Sequence, residues 1–286
     1  MQNADFGVKI EFMKKNWLCN KTVIVTGASG GIGAAVTKIL IEKYDCKVMG
    51  IARNEQRLCA LKESLGEKGE NFSYRLFDVS VRENWKNFTE ELKISEIAPD
   101  VLINNAGFML PFKRFENLSF EEIDEIVATD FLSNLNSVKY LMPLIKKSSA
   151  PAIVNVSSAA GLCAVVGESM YCAVKFAVRG FTETFAEEYK GKIYVGGIYP
   201  GFIRTEILKR MSVTDKENKL INKFMMPVDK AAAKIVKGIA KRKKRVVMGV
   251  DGRSMSVFSR LFPKSAPAVI RKVLKASGLE LFSEVF

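Results

Sequence analysis

The sequence predicts an α/β fold in which helices cover both faces of a doubly wound parallel sheet. Short apolar segments rich in β-branched residues alternate with amphipathic stretches along the chain, and this alternation is typical of parallel strands joined by right-handed helical crossovers. The 286 residues are 48% hydrophobic and 26% charged, a balance that suits one domain with a sizeable core. Strands are expected at residues 22–26, 47–51, 73–77, 101–104, 152–157 and 193–198.

The first predicted strand continues into a glycine-rich turn in KTVIVTGASGGIG. Gly27, Gly31 and Gly33 allow the backbone to approach a diphosphate, whose charge the N–H groups of a helix N-terminus can bind. A helix is expected from about Ile32. The G-x-x-x-G-x-G spacing differs from the common G-x-G-x-x-G fingerprint, so a plain strand–helix turn is the alternative. The strand before it and the helix after it favour a nucleotide site.

Two later segments place small and polar residues at the ends of strands. VLINNAG, at 101–107, is an apolar strand that ends in amides and small residues, which can line the crevice where open α/β sheets bind ligands. In IYPGFIRTEI, Pro200 and Gly201 end a strand and Thr205 follows in the loop. Each segment alone is also consistent with ordinary loop punctuation.

Tyr171 and Lys175 lie four residues apart in YCAVK, and Ser158 ends the apolar run AIVNVSS. On a helix this spacing puts the phenol and the ammonium on one face. Free tyrosine has a pKa of about 10, and a neighbouring positive charge favours the phenolate, so the pattern indicates a tyrosine acid/base. The alternative is that Tyr171 and Lys175 belong to an ordinary helix surface and have no catalytic role. The chain has no histidine, which excludes histidine-based relays, and no metal site is predicted.

TGASGGIG, NNAG, Ser158, YCAVK and PGFIRT occur in this order, and over roughly residues 18–250 the chain resembles the short-chain dehydrogenase/reductase family. The resemblance implies a Rossmann-type fold and an NAD(P)-dependent oxidoreductase. It implies that Tyr171 donates or accepts a proton, that Lys175 binds the nicotinamide ribose and lowers the tyrosine pKa, and that Ser158 hydrogen-bonds the substrate oxygen. The other cofactor-binding residues that it implies are Gly27, Ser29, Gly31, Ile32 and Gly33 at the diphosphate, Asp78 and Val79 at the adenine, Asn105, Ala106 and Gly107 at the adenosine ribose, and Pro200, Gly201, Ile203 and Thr205 at the nicotinamide end.

One position departs from the family pattern. Many relatives carry a catalytic asparagine in the helix before the serine strand, whereas ATDFLSNLNSVKYLMP has Asp130 there. Asn134 or Asn136 could substitute only if the helix were shifted by a turn or more. In the family this asparagine is thought to hold a water that relays protons, and a carboxylate can also accept from that water. The departure is therefore expected to affect the relay rather than the tyrosine chemistry.

The end of the second predicted strand favours NADP(H) over NAD(H). An NAD enzyme usually places Asp or Glu there to accept from the ribose 2′-OH, whereas NADP requires that acid to be absent and a cation to be near. KVMGIARNEQRL has Ala52 and Arg53 at this point. The forked donors of Arg53 suit a 2′-phosphate, and a plain surface charge is the alternative.

Apolar residues near the predicted catalytic motifs favour a hydrophobic ketone or secondary alcohol, such as a steroid, a fatty-acyl ketone or a long-chain aldehyde. The candidate pocket residues are Phe108, Met109, Leu110, Phe112, Leu162, Val165, Val166, Phe202 and Met211. Glu168 is a weaker candidate for orienting a substrate hydroxyl. The alternative function is a non-catalytic NADP(H)-sensing protein that docks to a membrane or a partner through a basic tail.

The C-terminal part of the chain is strongly basic. From Asp229 onward, 14 Lys and Arg stand against 4 Asp and Glu, a net charge of +10 out of +13 for the whole chain. A catalytic domain is predicted over residues 1–250, with a basic amphipathic extension of the same domain over 251–286. In the extension four apolar residues share one helical face: Val269, Ile270, Val273 and Leu274.

The extension has two predicted roles. In the first, the extension binds an anionic membrane or a partner surface. In the second, which is the preferred interpretation, its apolar face packs on the substrate pocket or on a second subunit. The basic run KRKKR at 241–245 belongs to no recognisable nucleic-acid-reading module. The expected partners are therefore a small hydrophobic carbonyl or alcohol and, by the family resemblance, further copies of the chain in a homo-oligomer.

Cysteine usage and hydropathy predict a cytoplasmic protein, peripheral to a membrane if the tail binds one. The five cysteines are odd in number and show no C-x-x-C spacing, which is typical of reduced thiols. Cys172 follows the tyrosine but is expected to serve packing. Residues 1–20 lack the apolar core of a signal peptide, and there is no run of 18 apolar residues that could span a membrane.

Overall fold

A seven-stranded parallel sheet forms the centre of the protein in the computed structural model, which describes residues 16–205 and 225–286. The strands in chain order are β1 (Thr22–Thr26), β2 (Lys47–Ala52), β3 (Phe72–Leu76), β4 (Val101–Asn104), β5 (Ala152–Val156), β6 (Tyr194–Pro200), β7 (Ile203–Arg204), β8 (Met226–Pro227) and β9 (Arg245–Met248). The large sheet has the order β3-β2-β1-β4-β5-β6-β9, and β7 pairs with β8 separately. The predicted Rossmann-type fold is confirmed.

Helices pack on both faces of this sheet. They are α1 (Gly31–Tyr44), α2 (Glu55–Ser64), α3 (Arg82–Ile94), α4 (Phe120–Val127), α5 (Ser133–Ile145), α6 (Ser169–Glu188), α7 (Val228–Ala240), α8 (Val250–Leu261) and α9 (Ala266–Ser277). A π-helical turn, Ala128–Leu132, joins α4 to α5, and short 3-10 turns cover Gly66–Asn71, Phe115–Asn117, Ala159–Gly161 and Glu280–Phe282. The central strands β4 and β5 are buried along their whole length, as expected for parallel strands covered on both faces.

Two apolar cores lie on opposite faces of the sheet. Leu40 of α1 and Ile235 of α7 belong to one core, and Trp85 of α3 and Leu141 of α5 belong to the other. All four side chains are completely buried. Because burial of a large apolar side chain is worth about 1.5–3 kcal/mol, these two layers hold the helices against the sheet.

A buried chain of polar side chains links the central strands to the helices behind them. Asn104 Nδ2 donates to Asn155 Oδ1 at 2.9 Å, Ser137 Oγ donates to Asn104 Oδ1 at 2.7 Å, and Asn155 Nδ2 donates to Thr182 Oγ1 at 2.9 Å. Buried polar groups are costly unless they are paired. The network therefore favours one register for β4 and β5 and one position for α5 and α6.

Six strands of the large sheet lie within two residues of the predicted ones, but its seventh strand, β9, is absent from the prediction, as are the two-residue strands β7 and β8. Strand β9 pairs with β6 at the edge of the sheet, with Gly197 opposite Arg245. The strand has only four residues, and it begins within the basic run 241–245. A short edge strand next to dense charge has neither the length nor the alternation that identifies strands from sequence.

We predict that Gly33→Ala destabilises the protein. A methyl group on Gly33 would overlap the carbonyl oxygen of Gly27 and lie 2.7 Å from Asn105 Nδ2. Overpacking of this kind typically costs about 1–3 kcal/mol, and urea unfolding should report that loss. Gly30→Ala is the control, because a methyl group there has Arg57 Nη1 as its nearest neighbour at 3.6 Å. Equal stability of the two variants would contradict the prediction.

Candidate active site

A cavity of roughly 820 Å³ opens at the carboxyl edge of the large sheet. Gly27 follows β1, Asn105 follows β4, Ser158 follows β5 and Gly201 follows β6, and all four residues line the cavity. Strand order reverses between β1 and β4, and open α/β sheets bind ligands at such a switch point. The topology therefore brings together motifs that are far apart in the sequence.

Most of the residues predicted to bind the cofactor lie in the wall of this cavity. They are Gly27, Ser29, Gly31, Ile32, Arg53, Asp78, Val79, Asn105, Ala106, Gly107, Tyr171, Lys175, Pro200, Gly201, Ile203 and Thr205. Gly33 does not line it. Gly33 lies beneath the loop, where the absence of a side chain lets α1 pack closely against Gly27. The positive φ values of Gly27 and Gly31, 68° and 52°, suit glycine in this turn.

Thr26 ties the glycine-rich loop to the loop after β4, although the sequence did not identify it as a site residue. Its hydroxyl accepts hydrogen bonds from the backbone N–H groups of Asn105 and Ala106, both at 2.9 Å. Asn105 Nδ2 donates in return to the carbonyl oxygen of Thr26 at 3.0 Å. Three hydrogen bonds across two neighbouring strands fix the two loops relative to each other.

Tyr171 and Lys175 lie on one face near the start of α6, as their spacing predicts. Both side chains are buried, and Lys175 Nζ lies 5.5 Å from the centroid of the tyrosine ring. Ser157 Oγ donates to the backbone carbonyl of Lys175 at 2.8 Å, which joins the end of β5 to this helix. Ser158 follows directly, and its hydroxyl accepts from the backbone N–H of Ala160 at 3.1 Å. The three predicted catalytic residues therefore share one part of the cavity.

Asp130 forms a buried ion pair with the lysine of this group. Its Oδ2 lies 2.9 Å from Lys175 Nζ, and the two side chains are 0% and 5% exposed. Its Oδ1 accepts from the backbone N–H of Phe108 at 3.0 Å. Asp130 belongs to the π-helical turn between α4 and α5, a local widening that is frequent at functional sites. The carboxylate thus takes the position at which the family pattern has asparagine.

Neither nearby asparagine replaces that missing amide. Asn134 Nδ2 donates to the backbone carbonyl of Asp130 at 2.8 Å. Asn136 Oδ1 accepts from Arg82 Nε at 3.3 Å. The sequence alternative in which the helix is shifted by a turn is therefore not the one that the structure adopts.

The pKa of Tyr171 is raised above its ordinary value. Burial raises this pKa most, Lys175 lowers it, Asp130 raises it again, and a hydrogen bond from Ser158 lowers it. The lysine acts in the predicted direction, but burial outweighs it. The pKa of Lys175 is raised as well: burial lowers it, but the charges of Asp130 and Tyr171 and the hydrogen bond to Asp130 together outweigh burial.

Two arginines border the other end of the cavity. Arg53 Nη1 lies 3.2 Å from Asp78 Oδ2, and the arginine side chain remains 65% exposed. Arg57, which the sequence did not identify, also lines the cavity, and its Nη1 would lie 3.6 Å from a methyl group on Gly30. The last residue of β2 is the uncharged Ala52. Two guanidinium groups beside a glycine-rich loop and a helix N-terminus fit the phosphates of a nucleotide.

The end of the cavity beyond Tyr171 is apolar. Of the predicted pocket residues, five line it: Phe108, Met109, Phe112, Val165 and Phe202. Leu110 and Leu162 are instead buried in the protein, and Val166 packs on the apolar cluster around Phe112. Met211 lies outside the described residues.

The C-terminal extension packs over this apolar end. Residues of α8 and α9 line the cavity, namely Met255, Phe258, Val269, Ile270, Val273 and Leu274. Phe282 packs edge-on against Phe112 with ring centroids 4.8 Å apart, and Arg114 Nε donates to the carbonyl of Val285 at 3.1 Å. In the parts of the chain that the structure describes, no helix is both long and apolar enough to cross a membrane.

The cysteines make no disulfide, and none of the five lines the cavity. All five are free thiols, and burial raises the pKa of Cys46 to about 12 and that of Cys172 to about 11. Cys172 Sγ accepts from the backbone N–H of Val165 at 3.3 Å, which agrees with the predicted packing role. Over residues 16–205 and 225–286, no group of three His, Cys, Asp or Glu is arranged to hold a metal ion.

Comparison with known sequences finds relatives that match most of the chain. The family model for short chain dehydrogenases matches residues 21–216. The SadH protein of Mycobacterium tuberculosis is 32% identical over 261 residues, which cover 86% of this chain and 92% of that protein. The 3-oxoacyl-(acyl-carrier-protein) reductase FabG of Vibrio harveyi is 31% identical over 204 residues, or 71% of this chain and 81% of the reductase.

Solved structures share the same fold. A short-chain dehydrogenase from Sphingobium yanoikuyae in complex with NADPH has a TM-score of 0.72 and 26% identity, over 90% of this chain and 95% of that one. An alcohol dehydrogenase from Thermococcus sibiricus complexed with 5-hydroxy-NADP has a TM-score of 0.68 and 26% identity, over 79% of this chain and 93% of that one. A short-chain dehydrogenase/reductase from Burkholderia phymatum in complex with NAD is similar in fold, with a TM-score of 0.74 and 19% identity over 87% of this chain and 94% of that one.

We predict that Asp130→Ala is strongly destabilising, because it leaves the ammonium of Lys175 buried without its partner. Breaking a buried ion pair in this way typically costs about 3–5 kcal/mol, which urea unfolding can measure. Glu83→Ala is a matched control: its pair with Lys86 has the same 2.9 Å separation, but both side chains are more than half exposed, so little change is expected. A mild effect of Asp130→Ala, comparable to the control, would refute this view of the pair.

Proposed function

The chain belongs to the short-chain dehydrogenase/reductase family of NAD(P)-dependent oxidoreductases, and we propose that it interconverts hydrophobic ketones and secondary alcohols with NADP(H). One observation carries the proposal. Ser158, Tyr171 and Lys175 lie on the wall of a single cavity whose one end is basic and rich in glycine and whose other end is apolar. A phosphorylated cofactor and an apolar substrate would meet at the tyrosine.

In the proposed mechanism, Tyr171 exchanges a proton with the substrate oxygen while Ser158 donates a hydrogen bond to that oxygen. The bound nicotinamide supplies or accepts the hydride. Lys175 would hold the adjoining ribose through its ammonium group. Because burial raises the pKa of Tyr171, the phenol is protonated at neutral pH, and this is the form that protonates a carbonyl oxygen during reduction.

Asp130 modifies this arrangement relative to the family pattern. Its carboxylate offsets the positive charge of Lys175 from 2.9 Å away, and its own charge raises the pKa of Tyr171. An asparagine at this position would leave the lysine charge uncompensated. We therefore propose that the aspartate keeps the tyrosine protonated to higher pH, and that any proton relay through the lysine ends on a carboxylate.

The basic end of the cavity supports NADP(H) as the preferred cofactor. Arg53 and Arg57 both line it, and Ala52 replaces the acid that would accept from a ribose 2′-OH. The carboxylate of Asp78 lies nearby, but it is paired with Arg53 at 3.2 Å. A 2′-phosphate would find two guanidinium donors at this end, whereas a 2′-OH would find no dedicated acceptor on β2.

The non-catalytic sensor considered from the sequence is not favoured. The departure from the family pattern at Asp130 would favour it if the acid disrupted the catalytic group, but Asp130 pairs with Lys175 while the lysine stays 5.5 Å from the centroid of the Tyr171 ring. We also propose that the extension covers the substrate end of the cavity in its own subunit, because Ile270 and Leu274 line the cavity and Phe282 is buried. Membrane contact and a homo-oligomer remain predictions from the sequence.

We predict that Tyr171→Phe lowers turnover by at least about 10² while NADPH still binds, since the ring is kept and only the acid is lost. A panel of hydrophobic ketones and secondary alcohols, followed at the nicotinamide absorbance, identifies a substrate for the comparison. Tyr140→Phe is the control, because this tyrosine lies on α5 and not in the cavity wall. Unchanged turnover in Tyr171→Phe would exclude the mechanism.

We predict that Arg53→Asp moves the cofactor preference toward NADH. The substitution replaces a phosphate partner with a repelling charge, so the ratio of kcat/KM for NADPH to that for NADH should fall about tenfold or more. Lys86→Asp makes the same change of charge on α3, outside the cavity, and should leave the ratio unaltered. A wild-type enzyme that already prefers NADH would overturn the assignment of Arg53.

A further inference from the structure

Glu168 is a buried acid in the cavity wall that the proposed chemistry does not use. The residue is 4% exposed and lines the cavity, and neither carboxylate oxygen has a hydrogen-bond partner within the described residues. Its side chain does not cap α6, although its backbone carbonyl accepts from Cys172 N at 2.7 Å. A buried polar group without a partner is costly, so a ligand that supplies one gains affinity.

The surroundings of Glu168 favour a neutral partner. Burial raises the pKa of this carboxyl well above its ordinary value, and the ammonium of Lys175, which lines the same cavity, is already paired with Asp130. A neutral carboxyl offers one O–H donor and a carbonyl acceptor. A hydroxyl group matches both, whereas a cationic amine would lose its hydration in an apolar chamber.

Resting on the proposed reductase function, we propose that Glu168 binds a hydroxyl group of the substrate that is remote from the reacting carbon. The preferred substrates are then hydrophobic hydroxyketones and the corresponding diols. The carboxyl oxygens are shielded from solvent, and in this proposal the side chain turns toward the cavity when it binds the hydroxyl. Glu168 is in this view a specificity-determining residue and takes no part in proton transfer.

The position of Glu168 limits where the hydroxyl lies. It directly precedes α6, and its electrostatic interaction with Tyr171 raises the pKa of the phenol. The hydroxyl group should therefore lie close to the reacting carbonyl, as it does in a cyclohexanone with a hydroxyl group on the opposite ring carbon. We therefore use 4-hydroxycyclohexanone as the probe and 4-methylcyclohexanone, in which a methyl group replaces the hydroxyl, as its matched control.

The test compares kcat/KM for the two ketones with NADPH in the wild type, Glu168→Gln and Glu168→Leu. The wild type should prefer the hydroxyketone by about tenfold or more, since a site built around a hydroxyl rejects the analogue that lacks it. Glu168→Gln should keep most of the preference because an amide also donates and accepts. Glu168→Leu should abolish it. A wild type without the preference, or a leucine variant that retains it, overturns the proposal.

Calorimetric binding of the same two ketones to the NADP+-loaded wild type separates this proposal from the proposed function. This complex cannot reduce a ketone, so the preference for the hydroxyketone is measured without turnover. If the NADP+ complex binds the hydroxyketone preferentially but the enzyme reduces no ketone with NADPH, the reductase function is contradicted and the role of Glu168 stands. Equal binding of the two ketones, or binding of neither, overturns the role of Glu168.

Two further measurements exclude other roles for the acid. N-methyl-4-piperidone replaces the hydroxyl with a basic amine; if the wild type prefers it and Glu168→Gln does not, the site recognises charge and the proposal is wrong. Glu168→Leu should melt at a temperature no lower than the wild type, because it removes a buried polar group that has no partner. A marked fall in its Tm would indicate an internal structural role and also overturn the proposal.

Discussion

The common direction of the seven main strands is the constraint on which the site depends. Parallel strands deliver their carboxyl ends to one edge of a sheet, so Gly27, Ser158 and Gly201 meet at one cavity although they are distant in sequence. The buried amides of Asn104 and Asn155 fix the register of the two central strands. A slip of one residue would turn every side chain of a strand to the other face and would disperse the residues at its end.

The two buried acids of the site, Asp130 and Glu168, differ in their partners. The ammonium of Lys175 is offset by Asp130 at 2.9 Å, while the carboxyl oxygens of Glu168 have no hydrogen-bond partner in the described part of the chain. Both acids raise the pKa of Tyr171 in addition to the effect of burial. A tyrosine in such surroundings retains its proton at neutral pH, which suits donation to a carbonyl oxygen. The same surroundings hold Glu168 toward its neutral form, which suits recognition of a hydroxyl.

The substrate end of the cavity is assembled from segments that are far apart in the sequence. Phe112 follows β4, whereas Phe282 and Val285 come from the last residues, and the three pack together in one apolar cluster. The outer face of the same extension carries exposed apolar side chains, including Val257 and Leu261. Its inner face therefore shapes the chamber, and its composition accounts for the preference for apolar substrates that we propose.

Local pattern determined the strand–turn–helix at Gly27 and the shared helical face of Tyr171 and Lys175, because backbone geometry and helical spacing act over a few residues. Packing between distant segments decided the rest. The sequence identified Asp130 as a departure, but only the fold gives it Lys175 as a partner, and only the fold removes solvent from the acids around the tyrosine. Pairing and burial depend on which elements meet in space, and a pKa responds to both, so these properties could not be derived from the residue order.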